Sequence, residues 1–205
     1  YVHPVTAAVM EKISKDSQGI AAVAHINAVE HRGDFHTELS KSGASVAAFW
    51  QIRDPGNAGA VIRAADAAGC DAVIFVDDCV EVCNPKVVRS TAGSLFHIPT
   101  FMMSTQDFFD WAHKHAMHVI AADVYGTPER KPVSLLEVLT DPNILDASRV
   151  VLFGNEARGL EADVLSQADS IISIPIYGKA ESLNLATSAA VMLLTMAMSS
   201  HIGKI

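Results

Sequence analysis

The sequence is poor in charge and poorest in positive charge: 19% of its 205 residues are charged, with 15 Lys and Arg against 23 Asp and Glu. A formal net charge of −8 excludes broad, non-specific adhesion to nucleic acid, which depends on neutralising phosphates, but leaves room for a locally basic cleft. Cysteine is scarce as well. Cys70, Cys79 and Cys83 are an odd set with no second pair at metal-ligand spacing, so they read as reduced thiols of a cytosolic protein. Residues 1–19 contain no apolar h-region of the secretory kind. The longest apolar run, residues 183–198, is interrupted by Asn184, Thr187, Ser188 and Thr195 and falls short of the ~20 residues of a membrane span. It reads as a buried helix, and the expected setting is the cytoplasm with no membrane partner.

Several chemistries are missing too. Gly56 and Gly59 stand in a turn between a strand and a helix, but their spacing is G-x-x-G rather than G-x-G-x-x-G. The dinucleotide fingerprint therefore fails, even with Asp77 and Asp78 at about the usual distance beyond it. There is no P-loop and no G-x-S-x-G elbow. His113 and His115 point to different sides of a helix and His118 begins the next strand, so they read as a solvated helix end, and no metal is expected. Asp77, Asp78 and Glu81 read as an exposed acidic loop.

What is present is an apolar majority and a regular rhythm. Half the residues are apolar, enough to bury a substantial core. Residues 4–15 have mild helical periodicity and 19–24 read as a strand. Residues 25–43 form a polar connection ending in a short helix near 34–42, and any domain boundary falls near 16–25. From residue 44 the pattern is a strand (45–50), a turn at Asp54, Pro55 and Gly56, an alanine-rich helix (57–68) with Asn57 as N-cap, a Gly69 stop, and a strand (72–76). A short helix from Pro85 to Ser90 and a strand near 96–101 follow. Helix 105–115, strand 118–123, helix 133–139, strand 149–153, helix 161–167, strand 170–174 and a final helix 181–199 complete the series.

Apolar strands separated by helices imply an α/β fold with a parallel sheet covered on both faces. Ligands of such sheets bind outside the carboxyl ends of the strands, where loops 54–59, 122–126, 154–159 and 175–182 all fall. Arg63, two turns into the alanine-rich helix, either covers that helix's flank or reaches back toward the strand ends.

Three blocks acquire meaning together: DPGNAGAVIRAA (54–65), FGNEARGL (153–160), and IPI (174–176) followed by ESLNLA (181–186). In order and spacing they resemble the SpoU (TrmH-type) family of RNA ribose 2′-O-methyltransferases within the SPOUT superfamily, over about residues 45–200. Residues 89–94, RSTAGS, resemble the same family's intervening connection. The resemblance implies a Rossmann-like domain with a C-terminal trefoil knot, S-adenosylmethionine as methyl donor, and a homodimer. It also implies that residues 1–24 are the remnant of an N-terminal RNA-binding domain and linker, with 25–205 as the catalytic domain. The start at Tyr rather than Met fits an excised piece.

By the same resemblance, backbone around Gly154, Ile174 and Leu183 holds adenine and ribose, Ala122 and Asp123 form a wall, and Ile176 belongs to the same donor-binding set. Asn155 and Glu156 shape the second-block loop, Gly159 lets the backbone turn closely, and Ser182 and Asn184 position substrate at the start of the last helix. Asn57 structures the first block beside Arg63, the family's catalytic candidate. A guanidinium is effectively never deprotonated, so Arg63 is expected to stabilise the developing alkoxide while a phosphate or water takes the proton. Arg53, Arg89, Arg158 and Lys179 are the charges expected near RNA. Ribosomal RNA is the favoured substrate. Transfer RNA, or a non-catalytic RNA-binding module that keeps the knot, stays open as an alternative.

Overall fold

β1 (Ser45–Trp50) carries SVAAFW, and from Val46 onward none of its residues is more than 2% exposed. Continuous burial of this kind requires cover on both faces. Ala47 and Phe49 point into one core with residues of the helices α2 (Pro55–Ala67), α3 (Pro85–Ser90), α5 (Leu135–Val138), α6 (Pro142–Leu145) and α8 (Leu185–His201). Val46, Ala48 and Trp50 point the other way, into a core shared with α4 (Thr105–Lys114) and α7 (Ala162–Gln167). The computed structural model describes residues 1–15, 17–26 and 43–202.

Among the described residues the sheet has seven strands in the order β3-β2-β1-β6-β4-β7-β5, with β2 (Ala72–Val76), β3 (Thr100–Met103), β4 (His118–Ala122), β5 (Val133–Ser134), β6 (Arg149–Phe153) and β7 (Ser170–Ser173). Every pairing is parallel. The chain runs outward from β1 through β2 to β3, then crosses over, and β6 enters between β1 and β4 while β7 enters between β4 and β5. The direction of winding reverses between β1 and β6, the position at which an open α/β sheet leaves a crevice. Ala122 pairs with both Phe153 and Ile172, so β4, β6 and β7 stop almost level and their loops start side by side.

α2 starts two residues before the expected position. Asp54 is its N-cap, accepting from the Asn57 N–H at 2.8 Å, and Pro55 takes the first helical position, where the lost donor costs nothing. Asn57 is therefore not the cap, which frees its side chain for the site. Gly69 does stop the helix, with φ +69°. Where α2 crosses α3, a Cβ on Gly59 would lie 1.9 Å from Ser90 Oγ and 2.8 Å from the Val87 carbonyl oxygen, so only glycine allows the approach.

Other expectations shift for identifiable reasons. Residues 19–24 form no strand: Ile20 is 87% and Val23 99% exposed, and among the described residues no strand lies beside them to pair with their backbone. α1 (Ala7–Ile13) forms as expected but buries nothing. The expected helix at 34–42 lies outside the described residues. The strand expected at 96–101 begins later, because Ser94–Phe96 closes a 3₁₀ turn and only Thr100–Met103 pairs with β2. The helix expected at 133–139 is divided, since Val133 and Ser134 are drawn into the sheet beside β7, and α6 was not anticipated. α8 begins at Leu185 with Asn184 as its cap, so Ser182 and Leu183 belong to the preceding loop.

At the opposite end of the sheet Arg149 is 5% exposed, its Nη1 donating to the Leu145 carbonyl at 2.6 Å. Burial presses its guanidinium pKa downward against the nearby Cys70, Asp146 and Asp71. Burial likewise raises the Cys70 and Cys79 thiols to about 11.

Two outcomes are expected. Gly59→Ala costs about 1–3 kcal/mol by overpacking, read from the denaturant midpoint. Both thiols ionise near pH 9 in the unfolded chain but only near 11 when folded, so their contribution to stability is complete below pH 9 and is lost as pH rises to about 11. Thermal melting across that window, compared with a Cys70→Ala/Cys79→Ala variant that flattens the decline, checks this.

Candidate active site at the ends of β4, β6 and β7

The loop after β6 is set by a backbone contact. Asn155 and Gly159 form an antiparallel bridge, N–H to O distances 3.0 and 2.8 Å, which folds the loop back over Gly154. A Cβ on Gly154 would lie 2.3 Å from the Gly159 carbonyl carbon and 2.6 Å from the Leu160 nitrogen, and Gly159 itself has φ +67°. Two glycines thus make the turn possible. Asn155 completes it: its Oδ1 accepts from the N–H groups of Ala157 (2.9 Å) and Arg158 (3.3 Å), and its Nδ2 donates to the Gln51 carbonyl at 2.7 Å. Gln51, at the end of β1 with φ 52°, also accepts from Arg158 Nη2 through Oε1 at 2.8 Å.

Between this loop, the loop after β4 and the segment after β7 lies a cavity of about 550 Å³. Its apolar lining includes Phe153, Ile172, Ile174, Ile176, Leu183 and Met192, and its polar lining includes Ser173, Ser182, Asn184 and Ser188. Three carboxylates (Asp123, Glu156, Glu181) face one guanidinium (Arg158) around it. A cavity of this size, with polar groups placed among apolar walls, can hold a small molecule.

At the rim a chain of hydrogen bonds joins three distant segments. Asn184 Oδ1 caps α8, accepting from Ala186 N at 2.9 Å and Thr187 N at 3.3 Å. Its Nδ2 must then point away, and it donates to Asn57 Oδ1 at 3.2 Å. Asn57 in turn donates through Nδ2 to Glu156 Oε1 at 3.2 Å. Because backbone N–H groups only donate and an ionised carboxylate only accepts, the two ends of the chain dictate both amide orientations.

All eight residues expected in the donor-binding set, Ala122, Asp123, Gly154, Asn155, Gly159, Ile174, Ile176 and Leu183, line this cavity. Glu156, Ser182 and Asn184 line it as well, and Asn57 reaches its rim through the hydrogen bonds above. Loop 54–59 is otherwise not part of the wall. Arg63 is exposed on α2 and does not line the cavity. Arg158 is a wall residue, whereas Arg53 is held by Asp78 at 2.6 Å.

Residues 44–194 match the SpoU rRNA Methylase family. The chain belongs to that family. Among curated relatives, the 23S rRNA (guanosine(2553)-2′-O)-methyltransferase RlmP of Bacillus subtilis (strain 168) is 33% identical over 176 residues, covering 86% of this chain and 63% of that protein. The 23S rRNA (uridine(2479)-2′-O)-methyltransferase of Streptomyces viridochromogenes is 35% identical over 147 residues, covering 71% and 49%. This chain thus spans about half to under two-thirds of those relatives. An AdoMet-bound rRNA methyltransferase structure from Sinorhizobium meliloti aligns with TM-score 0.75 and 28% identity over 94% of this chain and 70% of the other.

Reading the sequence alone passed over Gln51, Tyr125, Ser188 and Met192. Leu185, Ser188 and Met192 share one face of α8 at helical spacing, a signal that could have placed them together. Gln51 has no such signal, since only the fold reveals its left-handed backbone. Among the described residues no group of three or more His, Cys, Asp or Glu could hold a metal, and no helix is long and apolar enough to cross a membrane.

Gly154→Ala is expected to force the 155–159 bridge apart. Amide hydrogen exchange should show lost protection at Asn155 and Gly159 with β6 still protected; unchanged protection at both would contradict the packing described.

Proposed function

We propose that this chain is the catalytic unit of an S-adenosylmethionine-dependent RNA methyltransferase that modifies a ribose 2′-hydroxyl, in ribosomal RNA and in the cytoplasm. The observation that carries this reading is that one cavity gathers the second and third family blocks, with the first block's Asn57 bonded across its rim. The AdoMet-bound neighbour and the two 23S rRNA relatives support donor and substrate respectively.

The residues present fit such a donor. The cavity has room for a nucleoside with an amino-acid tail, and its three carboxylates and one guanidinium suit a ligand carrying a cationic sulfonium, an ammonium and a single carboxylate. The donor supplies a methyl group on a cationic sulfonium. Around it, the backbone at Gly154, Ile174 and Leu183 binds the adenosine, and Asp123 and the bridged 155–159 loop close two sides. Asn184, Asn57 and Glu156 hold the rim in one geometry, and Ser182 stands beside it to orient the ribose. In the reaction the C–S bond breaks as the 2′-O–C bond forms, the hydroxyl proton passes to water or phosphate, and a neutral thioether leaves.

Arg63 stabilises the alkoxide as it develops. It has no hydrogen-bond or ion-pair partner among the described residues of the single chain. The proposal therefore includes a homodimer that brings Arg63 to the RNA held at a cavity mouth. Apolar Val191, Met198 and Ile202, exposed to 38%, 63% and 79% on and just beyond α8, support a second copy there. The insertion of β6 and β7 among earlier strands supports a trefoil knot.

Arg63→Ala is expected to reduce methyl transfer to 23S rRNA about a hundredfold or more while leaving the affinity for S-adenosylhomocysteine unchanged. Near-normal turnover removes Arg63 from the reaction.

A further inference from the structure

The loop from β4 to β5 supplies Ala122, Asp123, Val124 and Tyr125 to the cavity wall, yet Tyr125 is 71% exposed and Val124 40%, so packing does little to hold it. Its order comes from polar contacts. Asp123 Oδ1 accepts from the N–H groups of Tyr125 at 2.8 Å and Gly126 at 2.7 Å. Gly126 has φ +69°, and a Cβ there would meet the Arg130 carbonyl oxygen at 2.3 Å. Thr127, only 8% exposed, donates its N–H to that same oxygen at 2.9 Å and accepts the Arg130 N–H on Oγ1 at 3.0 Å. The loop therefore closes on Arg130.

Arg130 is itself fastened elsewhere. Its Nη1 donates to the Ala168 carbonyl at 2.7 Å, with the Leu165 carbonyl at 3.4 Å, and Nη2 donates to the Asp169 carbonyl at 2.9 Å. These oxygens lie at the carboxyl end of α7 and the turn into β7, where helix carbonyls lack partners and the helix dipole favours a cation. Asp169 also sets β7 against β4, its Oδ2 accepting from Val119 N at 2.8 Å and its N–H donating to the Val119 carbonyl at 2.9 Å. One planar fork thus joins the supports of two cavity walls, Asp123 to Tyr125 and Ile172 to Ile174, without entering the cavity.

We infer that Arg130 is a positioning residue for the cavity: it clamps the β4–β5 loop onto the α7–β7 turn and so holds the wall formed by Asp123, Val124 and Tyr125 ready for the ligand. The inference rests on the reading of the cavity as the methyl-donor site. No family block contains Arg130, and its role is to pre-organise the wall, which reduces the ordering cost of binding.

The test is calorimetric titration of the 205-residue chain with S-adenosylhomocysteine, using Arg130→Ala and Arg130→Lys at a temperature where circular dichroism shows each variant folded. Arg130→Ala is expected to bind about tenfold or more weakly, and Arg130→Lys, which keeps the charge but not the fork, to fall between. Amide exchange in the ligand-free Arg130→Ala variant should rise at residues 123–127 and stay low in β1 and β6. If the unaltered chain binds and Arg130→Ala binds equally well, the inference fails while the donor-site reading stands. A loss of affinity accompanied by raised exchange throughout the sheet also overturns it, as general destabilisation. If the unaltered chain binds nothing, the donor-site reading fails and takes the inference with it.

Discussion

The site depends on one run of hydrogen bonds, from the amino end of α8 through Asn184 and Asn57 to Glu156. Each bond is modest, at 3.2 Å between the side chains, and together they contribute no more than a few kcal/mol. Their importance is geometric. Residues 57, 156 and 184 are far apart in sequence, and the run holds the ends of three segments in a single relation that neither α2, the β6 loop nor α8 sets alone. The direction of donation is fixed at both ends, so neither amide can flip without losing a partner.

Parallel register makes that run possible. Ala122, Phe153 and Ile172 stand side by side, so the loops leaving β4, β6 and β7 begin at one level and enclose a common space. The glycine pair at 154 and 159 then narrows it, since any side chain at 154 would collide with backbone. Structure and chemistry meet here: the glycines serve close approach of two backbone segments, and that approach gives the cavity its wall.

Much of this was legible in the sequence where the cause is local. The strands at 45–50, 72–76 and 149–153 carry apolar runs (46–50, 72–76 and 150–153), and the short helix at 85–90 starts at its proline. The cavity-lining residues were legible because the family blocks are specific in order and spacing. What escaped has non-local causes. Val133 and Ser134 look helical until β7 lies beside them, and residues 19–24 look like a strand but pair with none among the described residues. The cap of α2 is the local exception: the proline at 55 marks Asp54 rather than Asn57 as the residue before the first turn. Arg63 reads as a site residue from its block, yet within one chain it is exposed and does not line the cavity, a matter of where α2 carries it that one-dimensional spacing does not encode.

The most direct measurement is the fate of a labelled methyl group. The protein is incubated with S-adenosylmethionine carrying a tritiated methyl and unmodified 23S rRNA, and the product is hydrolysed in alkali, which cannot cleave next to a methylated 2′-oxygen. Label recovered in alkali-resistant dinucleotides is the expected result. Label on a free base or mononucleotide, or no transfer at all, would contradict ribose methylation by this chain.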